Sequence, residues 1–220
     1  MTLNQSGIIM KEAIKGWLSS VIERCNDFGK QIGLDYYCFQ SVIPENDADV
    51  LIIGINPGGS GAFRFKQPDN TLSQGVNLYS VKNPHPDNLK MVGKLSRVFT
   101  SDYLKDALES ATIMNLYYFN TKDVKILDKS LNNDVKRFCQ SKTREAMDIL
   151  NPRKIIFLCT QGSELSSVGV TNIHGIGNFM KAGIWKEKEV IALPNPGYYA
   201  AYSYSNGFEM GKKLEDYLLK

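Results

Sequence analysis

The chain has 220 residues, 43% of them apolar, and a formal net charge of +3, a balance that supports a buried core and excludes a disordered polyelectrolyte. Its length fits one domain spanning 1–220. No apolar run approaches the roughly 18–20 residues of a membrane span and the first residues lack a signal-peptide pattern, so a cytoplasmic protein with no membrane partner is expected.

In chain order, residues 8–29 carry Ile14, Trp17, Leu18, Val21, Ile22, Cys25 and Phe28 at helical spacing, with Gly29 as a stop. The run 50–53 is short, apolar and β-branched, as a strand covered on both faces requires, and it leads straight into Gly54-Ile55-Asn56-Pro57-Gly58-Gly59. Pro57 and Gly58 fit the central positions of a type II turn, Gly58 taking the positive φ. Asn56 stands where the strand gives out, either shaping that turn or facing a ligand.

The stretch 58–86 is rich in Gly, Pro, Asn and Ser, with Phe63, Phe65 and Tyr79 spread through it. A loop of that length inside a compact domain is more often functional than decorative. Helices are expected over 88–100 and 102–109, then a buried strand over 111–119 that Asn115 interrupts. A buried amide needs hydrogen-bond partners or costs about 1–3 kcal/mol, so Asn115 satisfies nearby backbone or awaits a ligand. A helix over 132–150 ends at Asn151-Pro152. A strand over 154–159 runs into Thr160-Gln161, a Gly-rich passage over 169–183 contains His174 as a loop residue, and a last strand over 189–193 runs into Pro194-Asn195-Pro196-Gly197. A helix over 205–219 closes the chain.

Apolar strands separated by helices define an α/β protein. The expected architecture is a three-layer α/β/α sandwich around a central four-stranded, mostly parallel sheet. On it, Asn56, Asn115, Gln161 and Asn195 fall at or near the carboxyl ends of strands, where open sheets bind ligands. They are equally at home as ordinary turn residues. The cysteines Cys25, Cys139 and Cys159 sit on apolar stripes or runs and read as buried thiols.

Gly54-Ile55-Asn56-Pro57-Gly58 and, far downstream, Asn195-Pro196-Gly197 resemble the two signature motifs of the uracil-DNA glycosylase superfamily, closest to its mismatch-specific uracil/thymine branch. Met114-Asn115-Leu116 is similar to the middle strand, and 150–158 to the approach to the third. The resemblance implies a uracil-DNA glycosylase-like fold and a hydrolase of base excision repair that flips a nucleotide and cleaves its glycosidic bond. Its partner would be DNA containing a damaged or mismatched base, and the enzyme would act as a monomer.

Asn56 and Asn195 take the catalytic places. Asn56 would orient a water, since a neutral amide donates and accepts hydrogen bonds but is no general base. Asn195 stands where several branches have His, which shifts leaving-group stabilisation toward backbone N–H groups. Asn115 would read the Watson–Crick edge of the base. Phe63 or Phe65 would stack on it, Phe63 being preferred, and Tyr198 or Tyr199 would wedge into the duplex or stack on a base, or else pack on the loop as rim residues. Gly54, Ile55, Pro57, Gly58, Pro196 and Gly197 would line the substrate site.

One branch holds an iron–sulfur cluster on four cysteines. Only Cys139 falls near such a place, so neither cluster, metal nor other cofactor is expected. Candidate DNA-facing cations are Arg64, Lys66, Lys122, Lys125, Lys181 and Lys186. Two other readings compete: a nucleobase- or nucleotide-binding relative without cleavage, and a dinucleotide-binding enzyme. The second is disfavoured because G-x-G-x-x-G is absent.

Overall fold

The computed structural model describes residues 5–41, 43–44, 46–59, 61–66, 77–122 and 124–220, without the side chains of 5–11, 87, 124–125 and 199. Seven α-helices and six strands are present among them: α1 (Gln5–Ile32), β1 (Val50–Gly54), α2 (Leu89–Leu95), α3 (Asp102–Ser110), β2 (Thr112–Asn115), α4 (Val124–Ser130), α5 (Asn133–Leu150), β3 (Lys154–Phe157), α6 (Gly162–Ser167), β4 (Thr171–Gly175), β5 (Lys181–Trp185), β6 (Lys188–Ala192) and α7 (Tyr204–Leu219). None of these helices is long and apolar enough to cross a membrane.

The strands form one sheet in the order β2-β1-β3-β6-β5-β4. The first four are parallel, and the β4–β5 hairpin adds two antiparallel strands beyond β6. The sheet is therefore six-stranded and mixed, which corrects the expected four-stranded, mostly parallel one. The four strands read from sequence are the four parallel ones. The two missed strands fill the Gly-rich passage, and His174, expected in a loop, lies on edge strand β4 with its Nδ1 2.9 Å from the Asn172 carbonyl.

Strand alternation divides the core between two faces. Leu51, Ile53, Ile155, Phe157, Val190 and Ala192 pack with α1, α4, α5 and α6. Val50, Ile52, Ile113, Ile156, Leu158 and Ile191 pack with α2, α3 and α7. Helices thus cover both faces, an arrangement compatible with a three-layer α/β/α sandwich, and β1 is buried along its whole length as a doubly covered strand must be.

Helix ends follow local chemistry. Asn132 caps α5 by accepting from the N–H groups of Asp134 and Val135, both at 3.0 Å, and Asn151 ends it in the left-handed region at φ 40°, ahead of Pro152. α1 does not stop at Gly29. It runs on to Ile32 and is ended by Gly33 at φ 72°. Gly29 is small for another reason: a Cβ there would stand 2.6 Å from the Phe63 ring.

α7 lies against the backbone just after α2. A Cβ on Gly207 would be 2.7 Å from the Arg97 carbonyl oxygen, and one on Gly211 would overlap the Val98 carbonyl oxygen. Gly211→Ala is expected to lower stability by about 1–3 kcal/mol through overpacking, despite alanine's better helix propensity. A chemical denaturation midpoint equal to or above the parent's would refute this.

Candidate functional site

β1 ends at Gly54, whose register partner on β2 is Asn115. Both continue the side of the sheet faced by Ile52 and Ile113, toward α2, α3 and α7. Asn115 is fully buried, and neither its Nδ2 nor its Oδ1 has a hydrogen-bond partner among the described residues. The absence of a side chain at Gly54 makes room for it: a Cβ there would lie 2.8 Å from Asn115 Oδ1 and 2.9 Å from the Tyr79 hydroxyl. An amide whose donor and acceptor are both unmet among the described residues, at the carboxyl end of β2 beside β1, is the polar element of this candidate site.

Tyr79 and Gln40 stand beside Gly54 and Pro57, and neither was expected as a site residue. The Tyr79 hydroxyl donates to Gln40 Oε1 at 3.0 Å, and Gln40 Nε2 donates to the Pro57 carbonyl at 3.3 Å. Burial pushes the Tyr79 phenol well above its ordinary range, so it stays protonated and remains a donor. The Tyr79 segment is held firmly. The Glu109 carboxylate accepts from Ser80 Oγ and from the N–H groups of Val81 and Lys82, each at 3.0 Å, while Asn77 Oδ1 accepts from the Tyr79 N–H at 2.8 Å. Tyr79 was visible in sequence as an aromatic of the long loop. Gln40 carried no signal, because its role comes only from tertiary approach.

Asn56 is half-buried just beyond β1. Its Nδ2 donates to both the carbonyl and the hydroxyl oxygen of Thr121, each at 3.1 Å. A carbonyl can only accept, so the amide orientation is fixed, and Oδ1 has no partner among the described residues. Asn56 therefore presents an oriented acceptor. Thr121 also lines an open cleft of about 520 Å³ with Gly33, Leu34, Ala62, Asn120 and Lys122. Gly58 takes φ 74° and Gly59 φ 75°, which gives the turn after Pro57 the positive-φ glycine expected of it.

The downstream motif is closed on itself. Asn195 Oδ1 accepts from the Gly197 N–H at 2.6 Å, and its carbonyl accepts from the Tyr198 N–H at 2.8 Å. The turn is gripped from both sides, by the Lys94 ammonium donating to the Pro196 carbonyl and the Tyr202 hydroxyl donating to the Pro194 carbonyl at 2.5 Å. Tyr198 is 56% exposed and meets Phe179 edge-on at 6.3 Å. The Tyr199 side chain lies outside what is described.

The structure thus gathers Gly54, Asn115 and Pro57 with Gln40 and Tyr79, and sets Asn56 just past them. Ile55 is buried in the core on the α1 side, where Phe63 also packs, on the opposite face of the sheet from Asn115 and Tyr79. Phe65 stands 69% exposed. Among the candidate cations, Lys66 is buried in an ion pair with Asp35 at 2.9 Å and lies over the Tyr37 ring at 4.2 Å, so it fastens its loop and faces no partner. Lys186 pairs with Asp148 at 2.6 Å in the β5–β6 turn, at the end of the sheet away from the site. Lys122 lines the cleft, and Lys181, opposite Ala192, is at the site end. Arg64 is exposed, and the Lys125 side chain lies outside what is described. All four cysteines are free and buried, and burial pushes the Cys139 thiol up to about 12 and the Cys159 thiol up to about 11.

No protein-family model matches the chain, and no curated protein matches it either.

Proposed function

We propose that the chain is a DNA glycosylase of the uracil-DNA glycosylase type, hydrolysing the bond between deoxyribose and uracil or another deaminated base in base excision repair. It would act in the cytoplasm, as a monomer and without a cofactor. The observation that carries this reading is the Asn115 amide, buried beside Gly54 and unpartnered among the described residues. A pyrimidine imide edge offers one N–H donor flanked by carbonyl acceptors, which is the complement of an amide with Oδ1 and Nδ2 both unmet.

In the reaction, the C1′–N bond breaks and its electron pair leaves with the base. A water oxygen bonds to C1′ and gives up a proton, which solvent carries to the departing base anion. Asn56 Oδ1, fixed in direction by Thr121, accepts a hydrogen bond from that water and orients its lone pair toward C1′. A neutral amide takes no proton, so Asn56 contributes position and not basicity. The flipped base would enter beside Tyr79, which Gln40 and Glu109 hold in place.

The test is an oligonucleotide panel carrying uracil, hypoxanthine, xanthine or a thymine opposite guanine, in single strands and duplexes, scored for abasic sites. Release of at least one of these bases is expected. If the folded protein released none, the glycosylase reading would fall. A second reading, nucleobase or nucleotide binding without cleavage, is favoured by one observation: the Asn195 acceptor, in the place where a leaving-group stabiliser belongs, closes its own turn.

A further inference from the structure

Just beyond the Asn195-Pro196-Gly197 turn, the surface carries aromatic rings that the core does not use. Tyr204 is 79% exposed and Phe208, one turn on along α7, is 49% exposed, while Tyr198 precedes them at the turn itself. Each ring of α7 has a cation over it. The Arg97 guanidinium lies 4.5 Å from the Tyr204 centroid and the Lys212 ammonium 4.4 Å from that of Phe208. Arg97 has no carboxylate partner among the described residues and is anchored instead by Nη1 donating to the Tyr202 carbonyl at 2.5 Å, whereas Lys212 shares its charge with Glu209 at 3.4 Å.

The close approach of α7 is what builds this pairing. Gly207 and Gly211 let the helix ride on the carbonyls of Arg97 and Val98, which sets Tyr204 over the Arg97 side chain. The platform is continuous with that turn. Lys94, three residues before Arg97, donates to the Pro196 carbonyl, and Asn206 Nδ2, two residues after Tyr204, donates to the Ala200 carbonyl at 3.0 Å.

We propose that Tyr204, Phe208 and Arg97 form a stacking platform for single-stranded nucleic acid running on from the turn at Pro196. Exposed ring faces stack on bases without regard to sequence, and only an unpaired strand presents base faces. A fixed guanidinium with no carboxylate partner is complementary to phosphate. Duplex DNA offers the same phosphates but hides its base faces, so it uses the charge and not the rings. The proposal deepens the glycosylase reading by naming the strand state next to the flipped base, and it rests on that reading only for the identity of the neighbouring nucleotide.

The experiment measures fluorescence anisotropy of the full chain with an undamaged, labelled oligothymidylate and with an undamaged duplex across a salt series. The wild type is expected to prefer the single strand. Tyr204→Ala with Phe208→Ala is expected to weaken single-strand binding by about tenfold or more while changing duplex binding little. Arg97→Gln is expected to lower the slope of log K against log salt by about 0.7. Circular dichroism melts keep loss of fold apart from loss of binding, since both ring substitutions are at exposed positions.

Single-strand affinity unchanged in the double-ring variant would overturn the proposal, as would a wild-type preference for duplex. A concentration-dependent dimer that disappears in that variant would assign the patch to a second copy of the chain and overturn it too. Because these strands contain no damaged base, binding is read apart from cleavage: a protein that binds them in this way but releases none of the bases of the damaged-oligonucleotide panel would sink the glycosylase reading and leave the platform standing.

Discussion

Asn115→Leu is expected to lower base release by about 30-fold or more while leaving the protein as stable as the parent or more stable, by about 1–3 kcal/mol. The two halves of this result come from one fact. The Asn115 amide is fully buried with both polar atoms unmet among the described residues, so the folded state carries a desolvation penalty. Leucine has nearly the same shape, removes both polar atoms, and continues the apolar face of Ile52 and Ile113. A bound base would lose two hydrogen bonds, and at about 1–3 kcal/mol each that is about 30-fold to 10⁴-fold in kcat/KM. Urea midpoints and abasic-site assays on the same preparations check it. A structural amide would behave in the opposite way, losing stability on substitution. A clear drop in midpoint would therefore remove Asn115 from the site and return it to the framework.

Much of the framework was legible because doubly buried strands leave a simple trace. β1, β2, β3 and β6 each lie between two helical layers and so need unbroken apolar runs, which the sequence shows. The β4–β5 hairpin leaves no such trace. Thr171, Asn172, His174 and Gly175 of edge strand β4 are exposed and need no apolar face. Between β5 and β6, Lys186 and Glu187 both take positive φ, the geometry usually announced by Asn-Gly, and neither residue announces it.

In the candidate site, the placement of Gly54, Asn56 and Asn115 at strand ends was legible because polar or small residues at the ends of apolar strands stand out. Which aromatic lies beside Gly54 was not. Phe63, Phe65 and Tyr79 are equivalent in a long loop read as a string, and only the fold shows Phe63 meeting Gly29 on the far face while Tyr79 reaches Gly54. The same applies to Asn195, whose side chain is close enough to its own Gly197 N–H to close the turn.

Asn56→Ala is expected to lower the rate of base release by about 10²-fold, with KM for the damaged strand little changed. An oriented acceptor acts on the attacking water and not on the base, so its loss raises the barrier without weakening binding. About 10²-fold corresponds to roughly 2.7 kcal/mol, the scale of one positioned hydrogen bond in a water-poor site. The loss should also be largely independent of pH, because an amide does not titrate. Asn56→Asp makes the sharper comparison. A carboxylate cannot donate to the Thr121 carbonyl as Nδ2 does, so the side chain loses its fixed direction but gains basicity. Its activity should rise with pH as the carboxyl ionises and fall away as pH drops below its pKa, a dependence that the parent lacks. Single-turnover rates across pH for the parent and the two variants decide the matter. If Asn56→Ala kept the parent's rate, or if the parent already showed a carboxylate-like pH profile, the water would be positioned by another group and Asn56 would be only the residue that ties the end of β1 to Thr121.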